Sequence, residues 1–144
     1  MITIREYQTD QEFEDLYTYI LLLNEKMTKQ RFLELLPQMR AQGYRCIGAY
    51  EGKDCMGICG FWVGTRFWCG RHIDIDNFVL TEDARSKGVG AAMLRWIEEE
   101  GRRQNCDMAM LDTYADNYRS HKFYYREGYY ILGYHFVKEL SDAD

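Results

Sequence analysis

The run Arg85-Ser86-Lys87-Gly88-Val89-Gly90-Ala91 constrains this chain more than any other stretch. It follows an apolar, strand-like segment, Phe78-Val79-Leu80. It opens an amphipathic helix with Val89, Ala92, Met93, Trp96 and Ile97 on one face. A strand that turns through a glycine loop into a helix directs several backbone N–H groups at one spot, and the helix dipole adds partial positive charge there. Glycine removes the Cβ that would keep a ligand off the backbone. The segment is therefore suited to hold a phosphate. Taken alone the pattern is short, and its glycines serve equally well as turn residues.

With 144 residues, 47% of them hydrophobic, and a single proline, the chain reads as one domain spanning 1–144 with a real core. No apolar run approaches the ~20 residues that span a bilayer. The start, Met1 to Glu6, lacks the basic-then-apolar order of an export signal, so a cytoplasmic location is expected. Cys46, Cys55, Cys59, Cys69 and Cys106 then read as reduced thiols packed as small hydrophobes. His72, His121 and His135 are scattered, so no metal site is expected. A net charge of −5 argues against nucleic acid as a partner, and no membrane partner is expected. The charge suits a cationic substrate, or simply a solvated acidic surface.

Strands and helices alternate along the chain. Ile2 to Tyr7 alternates apolar and polar residues, as a strand does. Phe13, Leu16, Tyr17, Ile20 and Leu21 recur at helical spacing, as do Phe32, Leu35, Leu36 and Met39 behind an N-cap at Thr28. Pro37 is expected to kink or shorten that second helix, and Gly43 to close it. Tyr44 to Glu51 and Cys55 to Thr65 form a hairpin about Gly52-Lys53, and a third strand runs from His72 to Leu80. Asp107 to Asp112 is a short strand. Asn117 to Glu127 is a helix stopped by Gly128, and Tyr129 to Leu140 is an extended arm broken near Gly133. The order β-α-α-β-β-β-α-β-α-β-β predicts an α/β mixed sheet with helices on both faces.

A second motif, Asn117-Tyr118-Arg119-Ser120-His121-Lys122-Phe123-Tyr124-Tyr125-Arg126-Glu127-Gly128-Tyr129, follows the short strand. An R-x-x-G-x-G/A loop, a strand, and then N-x-x-A-x-x-F-Y-x-x-x-G-F/Y resembles the GNAT superfamily of N-acetyltransferases. Ser120 stands where that family usually has Ala, Ser86 where Gly is frequent, and Glu82 where Pro is frequent. None of these removes an amide from the glycine loop. The closest match runs from Ile73 to Leu140. Asp76 to Leu80 and Gly133 to Lys138 resemble the branch that includes small-amine acetyltransferases.

The resemblance implies a mostly antiparallel central sheet with one splayed pair of strands, and acetyl-CoA as acyl donor. The amides from Lys87 through Gly88, Val89 and Gly90 to Ala91, with Ser86 in the same loop, would wrap the pyrophosphate. Arg85 would anchor the loop or meet a phosphate, or else make a surface salt bridge. The backbone of the Phe78-Val79-Leu80 strand would pair with the pantetheine arm. Asn117 would contact that arm or hold the preceding loop; a helix N-cap is the equally physical alternative. A homodimer is common in such folds, and the aromatic arm could pair across chains.

The chemistry follows from the atoms. An amine attacks the thioester carbonyl, and the tetrahedral oxyanion needs a preplaced donor, for which a strand amide near Leu80 is the candidate. Tyr124 occupies the family's general-acid position. A phenol of pKa about 10 can protonate a thiolate whose conjugate acid lies near ~8.5. The other reading makes Tyr124 one of many packing tyrosines. An alkyl amine of pKa about 10 must lose a proton before attack. His72, Asp74 and Asp76 share one strand parity, so Asp76 is the first candidate base and Asp74 the second, unless a bulge inverts the parity beyond it. Both aspartates also suit binding of the ammonium, or plain exposure to solvent. Phe61-Trp62, Phe67-Trp68, Tyr114 and Tyr118, with Asp116, are candidate walls for a cationic amine, or core and contact residues. A coenzyme A-binding sensor without turnover is the alternative function. A nucleotide hydrolase is rejected, because the loop lacks the Gly-Lys-Ser/Thr ending.

Overall fold

The computed structural model describes residues 1–85 and 87–141. The chain divides into two compact units, 1–111 and 112–144, each described by itself. The first unit contains β1 (Ile2–Glu6), α1 (Asp10–Glu14), α2 (Tyr17–Leu23), α3 (Lys29–Ala41), β2 (Arg45–Glu51), β3 (Asp54–Arg66), β4 (Gly70–Leu80), a 3₁₀ turn (Glu82–Ala84), α4 (Val89–Arg103) and β5 (Met108–Leu111). The second contains α5 (Tyr118–Arg126).

The five strands form one sheet in sequence order. The ladders from β1 to β4 are antiparallel, and β4 pairs with β5 in parallel. The α/β mixed, mostly antiparallel architecture is thus the one expected. The parallel ladder covers only His72↔Met108 to Ile75↔Leu111, whereas β4 continues to Leu80. The last five residues of β4 are therefore unpaired with β5, as the expected splay requires.

Helices cover both faces of this sheet. On one face Phe13, Leu16, Phe32 and Leu36 pack on Cys46, Ile58 and Val79. On the other, α4 lies close enough that a Cβ on Gly101 would meet Ile73 Cγ2 at 3.0 Å, and the Phe61 ring lies 6.0 Å from that of Trp96. The far end of α4 is tied to the sheet by charge. Arg45 donates to both Glu6 oxygens at 2.7 and 2.8 Å and to Glu100 at 2.9 Å.

Local chemistry explains where the elements begin and end. Thr9 and Glu12 form a reciprocal capping box at α1, and the Thr28 hydroxyl accepts from Arg31 N–H. The single first helix expected from the apolar spacing is divided at Asp15–Leu16, where the bonding tightens and Leu16 N–H reaches Phe13 O. α3 runs through Pro37 to Ala41, so the proline does not end the helix. Pro37 lies on the exposed face of that helix. The neighbouring Glu34 carbonyl accepts from the Gln38 side-chain amide at 3.1 Å.

In the second unit, Asn117 caps α5 and Gly128, at φ 95°, follows its end. The arm expected over 129–140 carries no strand among the described residues.

Candidate active site

The first component is a bulge in β4. Cys59 pairs with Phe78 and Phe61 with Ile75, so two steps on β3 oppose three on β4. The extra residue falls at Asp76–Asn77 and inverts the side-chain parity beyond it. Ile73 and Ile75 are buried on the α4 side. Beyond the bulge Val79 is buried on the opposite face, with Ile58 and Phe13. The parity argument for His72, Asp74 and Asp76 therefore holds up to the bulge and fails after it.

Two side chains reach the bulge. The Trp62 indole N–H donates to Asp76 Oδ2 at 2.9 Å, and the Tyr44 hydroxyl donates to Asn77 Oδ1 at 2.8 Å. The two rings are in contact, with centroids 5.2 Å apart. Burial holds the Tyr44 phenol well above its ordinary pKa, with the Cys46 thiol and the Asp76 carboxylate adding to the effect, so it remains a donor. Asp76 itself is exposed. Asp74 is half-buried and sits across the ladder from Trp62. His72 is buried, with Nδ1 3.7 Å from Cys69 Sγ, which takes it out of the solvent-facing set.

The second component is a cleft of about 550 Å³ beyond the bulge, lined by Leu22, Leu23, Phe78, Val79, Leu80, Thr81, Glu82, Asp83 and Arg85. Four of these were expected to meet coenzyme A: Phe78, Val79, Leu80 and Arg85. The leucines of α2 and the acidic 3₁₀ turn were not anticipated. Thr81-Glu82-Asp83 after a strand is a helix-start signal that could have indicated the turn.

The third component is the start of α4. Gly88 caps it at φ 77°, in the left-handed region, and no side chain caps the helix. Among the described residues, its chain neighbours aside, nothing lies within 4 Å of where a Cβ on Gly88 would be. The open approach and the uncapped first turn fit a phosphate held by the amides of Gly88, Val89, Gly90 and Ala91. Lys87 differs from expectation, because its N–H donates to Ala84 O at 3.3 Å. Ser86 lies outside the described residues.

Two expected residues belong to the second unit. Asn117 acts as the N-cap of α5, accepting from Ser120 N–H at 3.3 Å. Tyr124 is half-buried, its ring 5.1 Å from Phe123 and 5.9 Å from Tyr129. Tyr114, Asp116 and Tyr118 are exposed.

Three of the candidate wall aromatics follow the other reading, as core or surface residues away from the aspartates. Phe61 is fully buried against α4 and is core. Phe67 and Trp68 are exposed, but they precede Gly70, at the opposite end of β4 from the cleft. At about 3.3 Å per residue that is a separation of roughly 30 Å. Of the four aromatics on β3 and its turn, Trp62 alone stands beside the aspartates.

The model of the Acetyltransferase (GNAT) family matches residues 4–129. An uncharacterised N-acetyltransferase of Bacillus subtilis, YhdJ, is 24% identical over 142 residues, covering 97% of this chain and 100% of the relative. The aminoalkylphosphonate N-acetyltransferase of Salmonella typhimurium is 33% identical over 73 residues, which are 51% of this chain and 46% of that protein. Among solved structures, the aminoglycoside N-acetyltransferase AAC(6')-Iy in complex with CoA shares the fold at a TM-score of 0.82 and 14% identity, covering 98% of this chain and 96% of that one. A glycine-started helix, a cleft along a bulged strand and a family match over most of the sequence converge on one statement: the chain belongs to the acetyltransferase (GNAT) family, as an acetyl-CoA-dependent N-acetyltransferase.

Proposed function

We propose that the acceptor is a cationic primary amine, acetylated by direct attack on the thioester through a tetrahedral intermediate. The observation that carries the reading is Asp76, an exposed carboxylate at the β4 bulge immediately before the cleft-lining residues Phe78 to Leu80. The carboxylate attracts the ammonium, and with Asp74 it offers an acceptor for the proton the amine must lose. The amine nitrogen bonds to the carbonyl carbon, the carbon–sulfur bond breaks, and the thiolate leaves with a proton from Tyr124. Phe78, Val79 and Leu80 offer backbone to the pantetheine arm, while Arg85 and the amides of Gly88 to Ala91 receive the phosphates. The family match spans both compact units, and we take them as one acetyltransferase domain. The aminoalkylphosphonate and aminoglycoside enzymes among the relatives make small amines the first acceptors to try.

The test is acetyl transfer to polyamines, aminoalkylphosphonates, aminoglycosides, amino acids and amine-bearing peptides, read by product mass. Tyr124→Phe and Asp76→Asn run beside the wild type. A product whose rate falls about 100-fold or more in either variant supports the assignment, the usual scale for a lost acid or base. Tight acetyl-CoA binding with no product from any amine would instead favour a coenzyme A sensor.

A further inference from the structure

The β4 bulge is held by side chains as well as by its ladder. Gly60 lies on β3 opposite the extra residue, and a Cβ there would collide with the Tyr44 hydroxyl. Glycine at that position lets the Tyr44 ring lie over the strand and reach Asn77. Trp62, two residues on, contacts Tyr44 with its ring and reaches along β4, past its register partner Asp74, to Asp76. An indole N–H donates and never accepts, so this contact selects one orientation of a carboxylate. Asp76 is exposed, and an exposed carboxylate with no such contact samples several rotamers. Tyr44 is buried and its ring packs against that of Trp62.

We propose that Trp62 is a positioning residue of the acyl-transfer site, fixing the Asp76 carboxylate toward the acceptor amine, with Tyr44 and Gly60 holding the bulge that presents it. The inference rests on the reading of Asp76 given above. Trp62 touches neither acyl group nor amine in this scheme, and its whole effect passes through Asp76. A residue that merely packs would show no such dependence.

The experiment is a double-mutant cycle on the full chain with the most reactive amine of the panel. Trp62→Phe keeps an aromatic ring against Tyr44 and removes the N–H donor. The expected result is a roughly 10-fold fall in kcat/KM for the amine, with the KM for acetyl-CoA unchanged, since misaimed groups cost rate steeply. In Asp76→Asn the rate falls further, and adding Trp62→Phe to it changes nothing more. The indole N–H resonance that Trp62→Phe removes should shift in Asp76→Asn. Independent, multiplying losses, or an unchanged rate in Trp62→Phe while Asp76→Asn is impaired, would overturn the inference and leave the proposed function standing. Full activity in Asp76→Asn, or no transfer by the wild type, would overturn both.

Discussion

Replacing Glu100 with Gln should remove about 3 kcal/mol of stability at neutral pH. Glu100 is buried on α4 yet ionised. Burial opposes its charge, but hydrogen bonds from Gln104, Arg103 and Arg45 outweigh that and hold the carboxyl down at about 2, from an ordinary 4.5. The difference, at 1.36 kcal/mol per pH unit, amounts to roughly 3.4 kcal/mol. The hydrogen bond from Gln104 contributes most, followed by those from Arg103 and Arg45. Because the folded-state pKa is depressed, the contribution is complete above about 4.5 and disappears as pH falls toward 2. At pH 3 linkage leaves roughly 1.4 kcal/mol of it. Urea unfolding of wild type and Glu100→Gln at pH 7, 5 and 3 should therefore show a gap of about 3 kcal/mol that holds to pH 5 and then narrows by about half. A gap under about 0.5 kcal/mol at pH 7, or one that is the same at pH 3, would refute the account of Glu100 as an ion held by Gln104, Arg103 and Arg45.

Gly88→Ala should raise the KM for acetyl-CoA well beyond its effect on unfolding. The residue sits at φ 77° with open space around it, so alanine adds about 1 kcal/mol of backbone strain and a methyl at the phosphate approach. Equal KM values in wild type and variant would remove the loop from coenzyme A binding. Gly60→Ala should destabilise the fold by about 2 kcal/mol through the collision with Tyr44, seen as a lowered urea midpoint; an unchanged midpoint would mean Tyr44 does not lie over that strand. Light scattering at tens of micromolar is expected to give a dimer mass, since the segment after Tyr129 leaves Tyr134, Phe136 and Leu140 exposed without a ladder; a monomer would sink the proposed homodimer.

Element type and order were legible because each element carries its own local signal. Strand alternation, the Gly52-Lys53 turn, the Thr28 cap and the Gly43 and Gly128 stops depend on residues within a few positions of one another. The glycine loop before α4 is similarly local: its glycine at positive φ and its helix lie side by side in the sequence. Departures came where a distant or solvent partner decided the outcome. Pro37 reads as a kink or an early end, but α3 continues through it to Ala41 on an exposed face. Phe61 and Trp62 are neighbours in an aromatic pair, yet pleating sends one to the core under α4 and the other to the aspartates. The arm after Tyr129 has strand composition, but strand formation requires a partner that composition does not supply.

The bulge at Asp76–Asn77 is where local and non-local information meet, and it shows why the site was only half readable. A parity argument along β4 holds up to Asp76, so it places Asp74 and Asp76 on one face of the strand. The insertion that follows turns Val79 to the face opposite Ile75 and brings Asn77 to the Tyr44 side. Nothing in the run Asp76-Asn77-Phe78 marks it, because an extra residue is defined only by counting against the opposite strand. The features that accompany it lie elsewhere in the sequence: Gly60 on β3, without which Tyr44 would not fit, and Trp62 with its single donor. Read together, a glycine and an aromatic at alternate positions of β3, facing two polar residues at adjacent positions of β4, form the sequence signature of this bulge. A glycine that looks like a weak point in a strand thus makes room for the Tyr44 ring, which bonds Asn77 at the bulge and packs against Trp62.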